Sequence, residues 1–343
     1  MPLLLDTVRS GAAADLRGSN CLTIGLVNNM PDAAREATER QFIDLLRAAA
    51  RGTVICVRLF SLPDVPRSQE ARRELSGRYR DVAELWDTTL DGLIVTGTEP
   101  HAPSLQDEPY WQDLARLIEW ARANTSSTIF SCLAAHAAVQ QLHAIERRSR
   151  KEKLCGIFDC VPAAPHPLLA GVKAPLRVPH SRYNDLSEPV LRACGYRILT
   201  RSAAAGVDAF ADDRGPFSLF VFFQGHPEYA TDSLLREYRR DVGRYLRGER
   251  DQYPAAPQHY LGGTAASLAA AFQARATGLR DPALMADFPM GALQADIENT
   301  WQAGALGIYE NWVNHLKERK AERRPQVAFG QKPRREHSRL FAS

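Results

Sequence analysis

The chain has 343 residues, of which 45% are hydrophobic and 24% charged, and this is the composition of an ordinary globular protein. The formal net charge of +3 is too small to indicate a nucleic-acid-binding surface, and no apolar run reaches the length that crosses a membrane. Six scattered cysteines match no common zinc-ligand spacing, so we expect reduced thiols, no bound metal and a cytoplasmic protein.

Short β-runs alternate with helical segments in the first half of the chain. The first β-run, 22–27, follows an N-terminal segment, 1–20, that we expect to be irregular. Further β-runs lie at 53–59, 91–97 and 128–130, and apolar residues at helical spacing separate several of them. Such alternation predicts an α/β fold with a doubly wound, mostly parallel sheet flanked by helices.

The second half of the chain predicts further strands and then a helical extension. Residues 208–211 and 217–223 have the pattern of a hairpin, which closes a main domain at 21–260. Beyond it we expect a C-terminal helical extension at 261–319, and a basic, disordered tail at 320–343.

The extension itself contains two helical patterns. An Ala-rich run predicts one helix at 263–280, and a run with two tryptophans predicts a longer helix at 291–319. Neither helical pattern suggests a catalytic or binding residue.

A candidate nucleophile lies where the β-run at 128–130 turns directly into an Ala-rich helical run at 133–142. Cys132 occupies that turn, at the carboxyl edge of the sheet and beside a helix N-terminus, whose free N–H groups favour an anion. This is the position that serine takes in the strand–turn–helix elbow of hydrolases. A small buried core cysteine is the alternative interpretation.

Two further polar residues follow the buried β-run at 217–223. The sequence Gln-Gly-His-Pro-Glu-Tyr places His226 just beyond that strand and Glu228 two residues later. A nucleophile, a base and a carboxylate that orients the base are the parts of a catalytic triad. Ligand sites of doubly wound sheets lie beyond the carboxyl ends of strands, where Gly97 also falls. Its backbone N–H is a candidate oxyanion donor, and a plain tight turn is the alternative.

Short segments throughout the chain resemble one known family. They are Ile-Gly-Leu-Val-Asn-Asn-Met-Pro at 24–31, Asp-Gly-Leu-Ile-Val-Thr-Gly at 91–97, Tyr-Trp at 110–111, Ser-Thr-Ile-Phe-Ser-Cys at 127–132, Glu-Lys-Leu-Cys-Gly at 152–156, Pro-His-Ser-Arg-Tyr at 179–183, Gly-His-Pro-Glu-Tyr at 225–229, Glu-Tyr-Arg-Arg-Asp at 237–241 and Glu-Asn-Trp at 310–312. The chain thereby resembles the homoserine O-succinyltransferase family, whose fold is class I glutamine-amidotransferase-like, a flavodoxin-like α/β arrangement. The catalytic domain would then be the main domain at 21–260.

The resemblance implies roles for individual residues. Cys132 would take an acyl group from acyl-CoA, either succinyl-CoA or acetyl-CoA, as a thioester. His226 would be the general base with Glu228 as its partner. The resemblance assigns substrate binding to three further residues, Arg240, Lys153 and Ser181. Arg240 would bind the carboxylate of a homoserine-like amino acid. It implies an enzyme of methionine biosynthesis that works with small-molecule substrates and without a bound cofactor, and it is compatible with a homodimer.

Departures from the family pattern leave alternatives open. His101 stands at the acyl-donor specificity position, where the family has glycine for succinyl or glutamate for acetyl, so the donor is undecided. Asp32 and alanines replace the lysines that follow Met-Pro in the family, which keeps a non-catalytic member among the alternatives. A glutamine amidotransferase-like amidase is the other alternative, although the chain lacks a synthetase-like domain.

Overall fold

A computed structural model describes residues 3–7 and 21–323. The strands within these residues are β1 (Leu3–Asp6), β2 (Cys21–Val27), β3 (Val54–Phe60), β4 (Leu90–Val95), β5 (Thr125–Ser131), β6 (Arg148–Pro162), β7 (Leu176–Asp185), β8 (Arg197–Ser202), β9 (Gly206–Asp212) and β10 (Leu219–Phe223). The α-helices are α1 (Asp32–Ala49), α2 (Gln69–Arg78), α3 (Ala83–Trp86), α4 (Trp111–Asn124), α5 (Leu133–His143), α6 (Glu188–Ala193), α7 (Ser233–Leu246), α8 (Gly263–Gly278), α9 (Met290–Ala295) and α10 (Gln302–Arg323).

The strands form one sheet in the order β1-β3-β2-β4-β5-β10-β9-β8-β6-β7. The first six strands of that order pair in parallel, and we call them the parallel half. The remaining four, β6 to β9, pair antiparallel with one another, and we call them the antiparallel wing; β9 joins it to β10. The predicted mostly parallel sheet is therefore confirmed, with a wing attached to one side.

Helices cover both faces of the parallel half. Consecutive side chains of a strand point to opposite faces, and β4 shows the result, because Leu93 packs in one core cluster and Ile94 in the other. Helices α4 and α5 share the cluster of Leu93, whereas α1 and α10 share the cluster of Ile94. This arrangement confirms the doubly wound fold.

A third apolar cluster joins α7 to the C-terminal helices. Leu235 of α7 packs there with Phe272 of α8 and Leu293 of α9, and Trp301 closes the cluster just before α10. None of the helices in the described ranges is long and apolar enough to span a membrane.

The N-terminal segment expected to be irregular contains a strand. Leu3–Asp6 adds to the sheet edge by parallel pairing with Ile55–Arg58 of β3, so the prediction for 1–20 is wrong at these residues. A four-residue β-run beside a polar, glycine-containing stretch is too short to predict from periodicity alone. The rest of that segment, apart from residue 7, lies outside the described residues.

The C-terminal prediction is also corrected in two places. The helix expected at 291–319 is two helices, because the chain leaves α9 after Ala295 and α10 begins at Gln302, whose N–H donates to Oδ1 of Asn299 at 2.9 Å. α10 then continues to Arg323, so the first residues of the expected tail are helical. The remainder of the tail, 324–343, lies outside the described residues.

The last helix belongs to the main core. Trp312 of α10 is fully buried against the sheet, and its Nε1–H donates to Oγ of Ser127 in β5 at 2.8 Å. Lys320 lies further along α10, and its Nζ donates to Asp91 Oδ2 near the start of β4 at 2.6 Å. The last helix is thus part of the layer that covers the sheet.

Candidate active site

Cys132 lies at a sharp turn between β5 and α5. Its backbone has φ 54° and ψ −114°, a positive φ that a cysteine adopts only under constraint from its surroundings. Its N–H donates to the carbonyl of Phe223, the last residue of β10, at 2.8 Å. Its carbonyl accepts from Ala135 in the first turn of α5 at 3.0 Å. These backbone bonds hold the thiol at the carboxyl edge of the sheet, where the sequence predicts a nucleophile.

His226 and Glu228 follow β10, the strand next to β5. His226 Nδ1 lies 2.9 Å from Oε1 of Glu228, and Cys132 lies close enough to the same imidazole to affect its pKa. The backbone N–H of His226 donates to the carbonyl of Pro179 at 2.8 Å, and Ser131 Oγ donates to Glu228 Oε1 at 3.3 Å. The structure therefore brings the three residues together in the order nucleophile, imidazole and carboxylate.

The charges around His226 favour its protonated form. Burial disfavours the imidazolium, but the nearby Cys132 thiolate and the Glu228 carboxylate raise the pKa of His226 well above its ordinary value. The ring also stacks on Tyr229, with ring centres 4.1 Å apart and an interplanar angle of 18°. The stack and the contact with Glu228 Oε1 hold the imidazole in one orientation.

Gly97 lies directly against the turn at Cys132. A Cβ atom at this position would be 3.0 Å from the backbone nitrogen of Leu133 and 3.2 Å from its Cβ, so glycine permits the close approach. Leu133 opens α5, and the first N–H groups of a helix have no intrahelical partner. Two backbone segments beside the thiol can thus supply N–H donors to an oxyanion.

The predicted substrate-binding residues Lys153 and Ser181 meet at one carboxylate. Lys153 on β6 donates to Oε2 of Glu237 at 3.2 Å and to Oδ2 of Asp241 at 2.9 Å. Ser181 on β7 donates to the same Oε2 of Glu237. Two strands of the antiparallel wing therefore converge on α7.

Glu237 is the centre of this polar cluster and connects it to the imidazole. Its Oε1 accepts a hydrogen bond from the hydroxyl of Tyr229 at 2.5 Å, and Tyr229 stacks on His226. Burial alone would raise the pKa of Glu237, but the Lys153 cation and the bonds from Ser181 and Tyr229 hold it below its ordinary value. Glu237 is therefore an anion.

Arg240 lies on the exposed side of the same cluster. Its side chain keeps 45% of its surface accessible, and its Nη2 lies 3.9 Å from Glu237 Oε2 and 3.1 Å from Asp241 Oδ1. Burial would lower the pKa of Arg240, but the carboxylates of Asp241 and Glu237 raise it. The guanidinium is thus both charged and reachable from solvent.

The loop between β4 and α4 carries His101 and is held at two points. The backbone N–H of His101 donates to Oε1 of the buried Glu108 at 2.5 Å, and the side chain of His101 is exposed. Arg244 of α7 donates from Nη1 and Nη2 to the two carboxylate oxygens of Glu99, at 3.0 and 3.3 Å. The loop expected to govern donor choice therefore lies against α7, near Arg240.

The model of the homoserine O-succinyltransferase family matches residues 7–322 of this chain. The chain belongs to that family. The homoserine O-succinyltransferase of Bradyrhizobium japonicum is 49% identical over 296 residues, which are 86% of this chain and 90% of that protein. The enzyme of the same name from Methylorubrum extorquens is 49% identical over 300 residues, 88% of each chain.

Solved structures of glutamine amidotransferases are also similar. Those from Methylobacillus flagellatus and Thermotoga maritima share 17% and 12% sequence identity with this family member, each with a TM-score of 0.46. The matches cover 86% and 88% of this chain, and 95% and 98% of the solved chains.

Membership of the homoserine O-succinyltransferase family confirms the family and the class of enzyme predicted from the sequence, an acyltransferase of methionine biosynthesis. The amidase alternative has no support from the curated relatives. The roles of the individual site residues stay predictions, which the geometry above makes testable.

Two site residues, Glu237 and Tyr229, were missed as functional candidates. Both lie in segments that resemble the family, but only their neighbours were assigned roles. A signal for Glu237 was present, since Glu237 and Asp241 are four residues apart and share one face of a helix. Two carboxylates so placed need a cation when buried, and Lys153 fills that need.

Proposed function

We propose that this family member transfers a succinyl group from succinyl-CoA to the hydroxyl of homoserine, through a thioester on Cys132. The observation that carries the proposal is that Cys132 lies near the His226 imidazole, whose Nδ1 contacts Glu228, at the edge of the sheet. The match of nearly the whole chain to the homoserine O-succinyltransferase family supports the choice of substrates.

In the first half-reaction the Cys132 thiolate attacks the carbonyl carbon of the CoA thioester. The oxyanion that forms accepts hydrogen bonds from the backbone N–H groups of Leu133 and Gly97. The carbon–sulfur bond to CoA then breaks, and the His226 imidazolium gives its proton to the departing CoA thiolate. One thioester replaces another, so this step has little thermodynamic cost, and His226 is left neutral.

In the second half-reaction neutral His226 takes the proton of the acceptor hydroxyl while the oxygen attacks the acyl-enzyme. General-base help of this kind contributes about 10²- to 10⁴-fold in rate. The Cys132 thiolate leaves as the ester forms, and His226 is again protonated. Glu228 holds Nδ1 and stabilises the imidazolium in both steps.

The cluster around Glu237 supports the binding of an amino-acid acceptor. Arg240 is charged and accessible, and its planar fork suits an α-carboxylate. Glu237 accepts three hydrogen bonds, from Tyr229, Ser181 and Lys153, and a carboxylate has room for about four, so one site remains for the α-ammonium group. We assign Lys153 and Ser181 to the orientation of this carboxylate.

The test is the mass of the intact protein after incubation with succinyl-CoA in the absence of acceptor. We expect one succinyl group on Cys132, which homoserine then discharges as its O-succinyl ester. Cys194→Ser is the matched control, because Cys194 is also a free, partly exposed thiol. Acylation of a different cysteine, or an adduct that homoserine does not discharge, would overturn the proposal. An adduct that forms with acetyl-CoA and not with succinyl-CoA would show that acetyl-CoA is the donor.

We propose the cytoplasm as the compartment, because all six cysteines are free, as expected of a reducing environment. The homodimer compatible with the resemblance stays a prediction. Light scattering on the eluted peak of a size-exclusion column would measure the mass of the assembly.

A further inference from the structure

Arg147 is a partly buried cation whose Nη1 has no hydrogen-bond acceptor among the residues that the structure describes. It lies on the connection between α5 and β6, and the Nη1 atom is buried. Among the described residues, none forms an ion pair with it. A buried guanidinium nitrogen without an acceptor destabilises the protein, because the group has lost water and gained nothing in exchange.

A second buried arginine near the thiol shows how such a cation is normally accommodated. Arg182 donates to the carbonyls of Asn184 and Ala205 and to Nδ1 of His180, and it pairs with Asp185. Its guanidinium is therefore fully occupied by the protein. Arg147 carries the same charge, but its Nη1 has no acceptor. Internal hydrogen bonding therefore does not account for an arginine at this position.

The reacting sulfur is among the groups whose charges act on Arg147. Its guanidinium is close enough to Tyr110, Glu108 and Cys132 for their charges to raise its pKa, although burial, the larger effect, lowers it below the ordinary value. Glu108 is the carboxylate that accepts the backbone N–H groups of His101 and Ala102, at 2.5 and 2.7 Å. Arg147 therefore adjoins the loop at the donor-specificity position.

We propose that Arg147 binds the free carboxylate at the far end of a dicarboxylic acyl donor while its thioester lies at Cys132. The inference deepens the proposed function and rests on it. None of the ion pairs among the described residues joins Glu108 to Arg147, and Glu108 Oε2, like Arg147 Nη1, is buried without a hydrogen-bond partner. Two backbone N–H groups already share the negative charge of Glu108.

Selectivity for a dicarboxylic donor follows from the unpaired nitrogen. A succinyl carboxylate supplies the acceptor that Nη1 lacks, with the two parallel bonds that a guanidinium forms best. An acetyl or butyryl group leaves the buried nitrogen unpaired, and sites built to bind a polar group discriminate strongly against analogues that lack it. His101, with an exposed side chain, is then the smaller contributor to donor choice.

The experiment compares kcat/KM for succinyl-CoA and butyryl-CoA, which have the same chain length and differ in the terminal carboxylate. Wild type is measured beside Arg147→Ala, Arg147→Lys and the control Arg148→Ala, an exposed neighbour. We expect Arg147→Ala to lower the succinyl-to-butyryl ratio about 100-fold, the size of a lost charge-assisted hydrogen bond. Arg147→Lys keeps the charge without the fork and should fall between the two.

Retained butyryl transfer by Arg147→Ala shows that the variant is folded and that the thioester chemistry is intact. A ratio unchanged in both Arg147 variants would overturn the inference, as would a wild type that prefers butyryl-CoA or acetyl-CoA. Loss of transfer from every donor in Arg147→Ala, with an unchanged ratio in Arg147→Lys, also counts against it. Should the wild type form no adduct on Cys132 with any donor, the proposed function itself fails.

Discussion

The parallel half and the antiparallel wing contribute to the site in different ways. The parallel half supplies the proposed nucleophile after β5 and its imidazole and carboxylate partners after β10, all placed by backbone geometry at strand ends. The wing supplies Lys153 and Ser181 from within β6 and β7, and both contact the acceptor cluster on α7. The difference teaches that, in the proposed mechanism, the chemistry of acyl transfer and the choice of acceptor lie on different parts of one sheet.

The largest effect is expected from Cys132→Ser, which tests the role proposed for the parallel half. A serine at the elbow lacks the thiolate, so we expect succinyl transfer to fall about 10⁴- to 10⁶-fold, as for the loss of a nucleophile in other covalent enzymes. Steady-state release of CoA measures it, with Cys194→Ser as control. Full activity of Cys132→Ser would exclude the covalent mechanism.

Glu228→Gln tests the carboxylate that orients the imidazole. The amide has nearly the same shape but cannot stabilise the imidazolium, so we expect kcat to fall about 10³-fold with little change in KM. The pH profile of kcat should also shift, because Glu228 contributes to the raised pKa of His226. A profile identical to that of wild type would contradict the assigned role.

Arg240→Ala sharpens the comparison from the acceptor side. Loss of the guanidinium removes a charge-assisted bond to the amino-acid carboxylate, so KM for homoserine should rise about 10- to 100-fold. Acylation of Cys132 by donor alone should stay at the wild-type rate. Arg239→Ala, an exposed neighbour on the same helix, is the control. An equal loss in the acylation step would place Arg240 in the donor site instead.

The junction between the two parts is sensitive to pH. His136 of α5 lies 3.0 Å, through Nε2, from Oε1 of Gln224, and Gln224 in turn bonds to Val207 of the wing. The Nδ1 atom of His136 is buried without a partner, so protonation would place a second N–H where nothing accepts it. Burial first, and then the cations of Arg182 and Arg147, lower the pKa of His136 to about 3.

A histidine held neutral in the fold stabilises it above the pKa of the unfolded chain. That stabilisation is lost as the pH falls from about 6.5 towards 3, because only the unfolded chain takes up the proton. We expect this residue to remove about 2 kcal/mol of unfolding free energy between pH 7 and pH 5. Urea titrations of His136→Gln, with exposed His101→Gln as control, should lose that portion of the pH dependence. An unchanged dependence in His136→Gln would refute it.

Much of the parallel half could be predicted from the sequence, because its signals are local. The elbow at Cys132 is a switch from a β-run to a helical run within a few residues, and the structure has that switch at the same place. His226 follows its strand equally directly. Both residues reach the same edge because parallel strands end together, which is a property of the fold class.

The polar cluster and the unpaired cation could not be predicted in the same way. Glu237 becomes a centre only when β6, β7 and α7 pack together, and the spacing along the chain does not show which side chains then meet. Arg147 lies in a basic stretch that is typical of a solvated linker, and only its missing partner distinguishes it. The break before α10 has a local signal in Asn299, whose Oδ1 accepts the N–H of Gln302, but this residue lies inside the helix predicted at 291–319.

The bond from the Cys132 N–H to the carbonyl of Phe223 joins the sulfur-bearing turn to the strand that leads into His226. Side-chain replacement on β6, β7 or α7 does not remove that bond, so we expect variants with a changed acceptor site to keep the proposed acylation of Cys132. Libraries aimed at a different product should therefore randomise the wing and α7, and keep residues 125–136 and 219–228 as they are.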